Sequence, residues 1–318
     1  MKARLFTLAF ARKTIALLLL CFFSHSPLAQ QSLRITGSDT LAPVLTAWLE
    51  VFKTRHIGLR VELQSTGSAT VPTALAEGTV DIGAMSRPMT SDEISLFASR
   101  RGFMPRAIAI ARDSLAIIVH PSNPIRDIAL NDLDRIFSRQ VLCSGDSPLV
   151  NWREIGQVDG NLESPGLPID TFGRTATSGS YGYFKQVALC GGDYDPSMME
   201  FEGFASLVDT IANSESGIGY TGLRWVDQRV KPLALRIPVA EGATLTVDHT
   251  HPRYPLNRSM YLYWVQAPNT QLSSIQCEFL VFSQTAMAQQ MVVAEGLTAI
   301  TGSADYQSRA QRHHVICE

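Results

Sequence analysis

Three times between residues 32 and 101 an apolar, strand-like run ends in a short Gly/Ser/Thr segment and passes straight into a helical pattern. "SLRITGS" is followed by "LAPVLTAWLEVFKTR", whose Leu41, Val44, Leu45, Trp48, Leu49 and Phe52 recur at helical spacing. "GLRVELQSTGS" is followed by the helix "TVPTALAEG". "VDIGAMS" is followed by "TSDEISLFASRRG", which opens on hydroxyls and acids as a helix start should. Strands that alternate with helices form crossover units and a largely parallel sheet, so the chain is α/β. The run "RAIAIARDSLAIIVH" predicts two strands or one bent strand. Beyond it "LNDLDRIFSR" (helix), "LPIDTFGR" (strand), "SGSYGYFKQVAL" and "SLVDTIANS" (helices) and "GIGYTGL" (strand) repeat the alternation. "YPLNRSMYLYWV" reads as a strand, and "LSSIQCEFLVFSQTAMAQQMVVAEG" as C-terminal helices. No low-complexity linker separates the halves, so ordered crossings of the chain must join them.

Residues 1–29 stand apart. Lys2, Arg4, Arg12 and Lys13 precede the apolar "TIALLLLCFF", and a small residue, Ala29, closes the segment. This is the pattern of a secretory signal peptide, and the run is short for a membrane span. Cys21 raises a lipid anchor, but the leucines before it lack the small residue that lipidation expects. The segment holds four of the 27 basic residues and none of the 29 acids, so about 289 residues with a net charge of −6 remain. That is enough chain for two domains. An acidic chain is a poor nonspecific ligand for nucleic acid, so any anion site must be built locally. Four cysteines remain, Cys143, Cys190, Cys277 and Cys317, without zinc-like spacing. In an oxidising compartment they allow three pairings into two disulfides.

The strand ends share one chemistry. They read "GSDT" at 37–40, "STGSAT" at 65–70, "AMSRP" at 84–88 and "GRTATSGS" at 173–180. In open α/β sheets the ligand crevice lies at the carboxyl ends of the strands. Helix starts there present N–H groups without intrahelical partners and a partial positive charge. Four such starts that converge would surround a compact tetrahedral anion with donors. Ser and Thr before a helix are also ordinary N-caps, and Gly in such loops is ordinary turn chemistry. Arg87 and Arg174 add guanidinium forks that match two oxygens of an oxyanion.

Together "GSDTLAPVLTAWLEVF", "GSATVPTALAEGTVDIGAMSRPMTSDE", "FGRTATSGSYGYFKQVAL", "GIGYTGL" and "YPLNRSMYLYW" resemble, in order, the periplasmic phosphate-binding proteins of phosphate ABC importers. The resemblance implies the type II periplasmic-binding fold: two α/β lobes, each a mixed sheet flanked by helices, closing on a ligand cleft. It implies a signal peptide at 1–29, one lobe of 30–113 plus 256–318, and a second of 114–255. It implies ligand groups at Ser38, Asp39, Thr40, Ser68, Ser86, Arg87, Arg174, Ser178, Gly179 and Ser180. It favours the pairings Cys143–Cys190 and Cys277–Cys317, since a bond across the lobes would obstruct closure. It further implies a periplasmic monomer that binds inorganic phosphate, partners an inner-membrane ABC permease, needs no cofactor or metal and is not an enzyme.

Two positions depart from that family's pattern. Arg87 stands where an acid would accept a proton from bound phosphate, and Ala176 where an acid would moderate the loop arginine. Both changes make the site more positive, while Asp39 adds an acid to the first loop. This suggests that the acceptor has moved to Asp39, unless Asp39 caps a helix or partners Arg87. Without such an acceptor the ligand could be another oxyanion, sulfate or molybdate. A sensor, scavenging or adhesion role on the same fold is the other alternative. A hydrolase is disfavoured: "TSGSYG" does not match the nucleophile-elbow pattern. The pairs His249/His251 and His313/His314 lack an accompanying acid cluster at metal spacing.

Overall fold

The structure is a computed structural model that describes residues 31–158, 166–239, 243–300 and Cys317. Residues 1–29, His313 and His314 lie outside the described residues. The first three strands and helices are β1 (Ser32–Gly37), α1 (Ala42–Arg55), β2 (Arg60–Gln64), α2 (Val71–Glu77), β3 (Ile82–Met85) and α3 (Ser91–Arg101). Then come β4 (Arg106–Val119), β5 (Asp127–Ala129), α4 (Leu130–Phe137), α5 (Trp152–Val158), β6 (Asp170–Arg174) and α6 (Gly179–Ala188). The chain continues through β7 (Met199–Phe201), α7 (Phe204–Ile211), β8 (Gly217–Gly222), β9 (Lys231–Pro238) and β10 (Thr244–Val247). It ends in β11 (Asn257–Trp264), α8 (Ser274–Ser283) and α9 (Ala286–Ala294).

The apolar stripe of α1 is buried as its spacing predicts: Val44, Leu45, Trp48, Leu49 and Phe52 all face inward. Trp48 donates its indole N–H to Ala288 O at 2.9 Å and packs edge-on against Phe279 and Phe282. This core holds residues from Leu33 to Ala111 and from Met260 to Leu297. A second core holds residues from Leu115 to Leu256. Two smaller buried clusters flank them, one around Val71 and Phe97 beside the first core and one around Ile118 and Phe172 beside the second, and each fully buried Leu, Ile or Phe contributes about 1.5–3 kcal/mol of transfer free energy to its lobe.

One strand serves both cores. β4 is continuous over 14 residues. Its first part pairs antiparallel with β11 and its last part with β8 and β9. The strands run β2-β1-β3-β11-β4-β8-β6-β7, with β5 and β10 joined through β9. β1 is parallel to β2 and β3, and β6 is parallel to β7 and β8; the four loops of interest leave the carboxyl ends of β1, β2, β3 and β6. The cysteines pair as Cys143–Cys190 and Cys277–Cys317, each with Cα atoms 5.4 Å apart. Among the described residues no helix is long and apolar enough to cross a membrane.

Candidate functional site

The four loops meet. Ser38 N–H bonds Ala84 O at 2.8 Å, which sets the first loop beside the third. Ala69 N–H bonds Thr177 O at 3.1 Å, which sets the second against the fourth across the two lobes. Gly67 makes that approach possible: its φ is +91°, and a Cβ there would lie 2.4 Å from Thr177 O. Gly179, two residues past Thr177, does the same on the fourth loop, since its Cβ would lie 2.3 Å from both Ser68 Oγ and Ser86 Oγ.

Ordinary capping explains only part of the hydroxyls. Ser178 is a true N-cap: its Oγ accepts from Ser180 N–H at 3.2 Å. Helix α1, by contrast, has Leu41 at its N-cap with no side-chain cap bond, so Ser38, Asp39 and Thr40 are not caps. Helix α3 is capped by Thr90, not Ser86. Ser86 instead gives its N–H to Ser68 Oγ at 3.1 Å, with the two hydroxyls 3.3 Å apart.

Arg174, at the end of β6, has a side chain only 2% exposed. Its Nε donates to Phe201 O at 3.1 Å, and its Nη2 to Asp39 Oδ2 at 2.6 Å and to Glu202 O. The guanidinium lies 4.5 Å over the Phe204 ring. Its backbone N–H bonds the Tyr220 hydroxyl at 3.1 Å, and burial pushes that phenol up to about 12. Among the described residues Nη1 is left buried with no protein partner, as are Ser38 Oγ, Thr40 Oγ1 and Asp39 Oδ1. A polar cavity of about 180 Å³ opens between Asp39, Thr66 and Gly67 on one side and Arg174, Thr177, Ser178 and Glu202 on the other. That size suits an ion of a few atoms, below the roughly 300–1,000 Å³ of pockets for organic ligands.

Arg87 behaves differently. Both its Nη atoms bond Glu93, at 2.7 Å each, and Nη1 also reaches Pro88 O at 3.0 Å. Among the described residues its Nε alone lacks a partner, and it faces Gly182 of α6, whose Cβ would be 2.8 Å away. The expectation that Arg87 and Ala176 leave the site more positive is therefore corrected. Glu93 neutralises Arg87, and Asp39 neutralises Arg174 from the opposite lobe. Asp39 is neither a helix cap nor the partner of Arg87.

Sequence reasoning passed over several residues that hold the site. Glu93 is foreshadowed by the capping box Thr90-x-x-Glu93, which the structure forms. Asp113 and Arg258 form an ion pair with side chains 2% and 0% exposed, and nothing in their local sequence announces it. His249 and His251 join no metal-like cluster; none exists among the described residues.

Comparison with known proteins agrees with this architecture. The model of the PBP superfamily domain matches residues 24–288. The phosphate-binding protein PstS of Pseudomonas aeruginosa is 38% identical over 269 residues, 83% of this chain and 82% of that protein. The protein SphX of Synechocystis is 25% identical over 84% of this chain and 79% of its own. Among solved structures, a putative phosphate ABC transporter substrate-binding protein from Clostridium perfringens, with bound phosphate, aligns with a TM-score of 0.65. It is 23% identical and covers 85% of this chain and all of its own. An ABC-type phosphate transport receptor from Vibrio cholerae aligns with the same TM-score at 21% identity, covering 84% of this chain and 99% of its own. The two-lobed fold, the converging loops and these matches place the chain in the PBP superfamily.

Proposed function

We propose that the protein captures inorganic phosphate between its lobes and delivers it, unchanged, to an ABC importer. One observation carries the reading: a buried acceptor, Asp39 Oδ1, sits in the first loop with the hydroxyls of Ser38 and Thr40, and its other oxygen holds Arg174, whose Nη1 is also unmatched. A buried polar group without a partner costs about 1–3 kcal/mol, more if charged. The set calls for a ligand with several acceptor oxygens and one proton to give. Phosphate near neutral pH keeps a proton and sulfate has none. On this reading Ser38, Thr40, Ser68, Ser86, Arg174, Ser178, Gly179 and Ser180 face the anion, and Asp39 accepts its proton. Arg87 shapes the third loop through Glu93. The relatives named as phosphate-binding proteins support the same ligand.

The lobes are taken as 30–113 with 256–318, and 114–255, hinged at β4 and β11. Residues 1–29 direct export to the periplasm, where the protein works as a monomer with an inner-membrane permease. The reading is of binding without turnover, which the relatives named as phosphate-binding proteins support. Calorimetric titration of the exported chain with phosphate, sulfate and molybdate tests this. Tight phosphate binding with weak sulfate binding is expected. Preference for sulfate or molybdate, or no binding of any oxyanion, would overturn it.

A further inference from the structure

The hydroxyl of Ser180 is wholly buried at the start of α6, and its one side-chain partner among the described residues is Arg258, with Nη1 to Oγ at 2.8 Å. A guanidinium has five N–H donors and no acceptor. Ser180 Oγ must therefore accept, and its own proton is turned elsewhere; no protein acceptor stands within reach among the described residues. Two other buried serines of the converging loops are held in the same sense. Ser178 Oγ accepts from Ser180 N–H, and Ser68 Oγ accepts from Ser86 N–H. Those two are set by loop backbone. Ser180 alone is set by a side chain from a distant strand, 78 residues away.

That side chain is itself fixed. Arg258 on β11 stands opposite Asp113 on β4 in the antiparallel ladder. Its Nε and Nη2 both bond Asp113 Oδ2, at 3.2 and 2.7 Å. One turn along α6 the Tyr183 hydroxyl donates to Asn257 O, so the helix is fastened twice to β11. Asp113 cancels the charge of Arg258, so the arginine orients the hydroxyl without adding a net cation to the cleft.

We infer that Arg258 is a positioning residue for the anion: it fixes the Ser180 hydroxyl as a donor to the ligand. The inference rests on the phosphate reading above. A purely structural brace would make the same contacts, and a double-mutant cycle separates the two, because residues that act through one another are not additive. Phosphate is titrated into the wild type, Ser180→Ala, the pair Arg258→Met with Asp113→Asn, and the triple variant. Ser180→Ala should weaken phosphate roughly tenfold or more, the size of one hydrogen bond to a charged group. The pair should weaken it about fivefold or more with Ser180 present, and less than about twofold once Ser180→Ala is in place. Equal losses in both backgrounds would overturn the inference and leave Arg258 a brace. Arg258→Lys, which keeps a cation beside Asp113 but has no planar fork, gives a second cycle with Ser180→Ala if the neutral pair does not fold. The same criterion then applies. A wild type that binds no phosphate would overturn the phosphate reading, and this inference with it. Wild-type binding with additive losses would overturn this inference alone.

Discussion

Arg174 and Arg87 look alike in the sequence: each follows a strand end, beside hydroxyls, in a chain with little else to hold an anion. In the structure they divide. Arg87 finds its carboxylate six residues along, spends both Nη atoms on it and has no fork left to offer. Arg174 finds its carboxylate 135 residues away in the other lobe, through Nη2 alone, and its Nη1 has no partner among the described residues. A local partner closes this guanidinium, whereas a partner from across the cleft leaves one edge of the other open.

The largest effect should follow removal of the open arginine. Arg174→Ala is expected to weaken phosphate binding by about 2–5 kcal/mol, the range for truncating one member of a buried charge-assisted pair. Arg174→Lys should restore only part of this, because an ammonium cannot keep Phe201 O, Glu202 O, Asp39 and a ligand together. Wild-type affinity for Arg174→Ala by titration would show that both arginines are structural.

Asp39→Asn comes next, and its readout is a ratio. Asn can turn its N–H toward a bare oxygen, so sulfate should no longer face an unmatched lone pair. The sulfate-to-phosphate ratio of dissociation constants should fall by about 1–3 kcal/mol, roughly fivefold to a hundredfold or more. Capping cannot account for such a change, since α1 carries no side-chain cap. A ratio unchanged at one pH and salt concentration would confine Asp39 to holding Arg174.

What the sequence made legible follows the range of the interaction. The alternation of strands and helices, the inward stripe of α1 and the loops at the strand ends are local patterns, and all lie where their spacing puts them. Strands β5 and β7, three residues each, are too short to show a period, and the reading of β9 is obscured by Pro232 near its start. The partner of Arg87 was within reach of the sequence, because Thr90-x-x-Glu93 spells the capping box that brings the carboxylate back. The partners of Arg174 and Arg258 were not. Both ion pairs arise from the topology, one across the cleft and one across the β4–β11 ladder, and neither leaves a local trace.

Breaking the closed arginine should therefore cost stability rather than affinity. Arg87→Met leaves Glu93, whose side chain is 19% exposed, without its guanidinium donors. Thermal unfolding should register a loss of about 1–3 kcal/mol. Phosphate affinity should stay within about threefold of wild type, well short of the loss expected for Arg174→Ala. A loss comparable with Arg174→Ala would place the Arg87 guanidinium on the ligand.

Thr90→Ala is the smallest and sharpest test of the same division. Thr90 Oγ1 accepts from Glu93 N–H at 3.2 Å, while Glu93 Oε2 accepts from Thr90 N–H at 2.9 Å. The substitution removes the first bond and leaves the second, so Glu93 keeps its place over Arg87. Loss of an N-cap hydroxyl costs about 0.5–2 kcal/mol. Denaturant unfolding should show that loss with an unchanged slope, since the surface exposed on unfolding is unaltered. Phosphate binding should not move, because the capped helix start holds Arg87 and not the anion. If affinity falls with stability, the start of α3 contributes to the ligand site through the third loop. The contrast between a closed and an open arginine would then be one of degree.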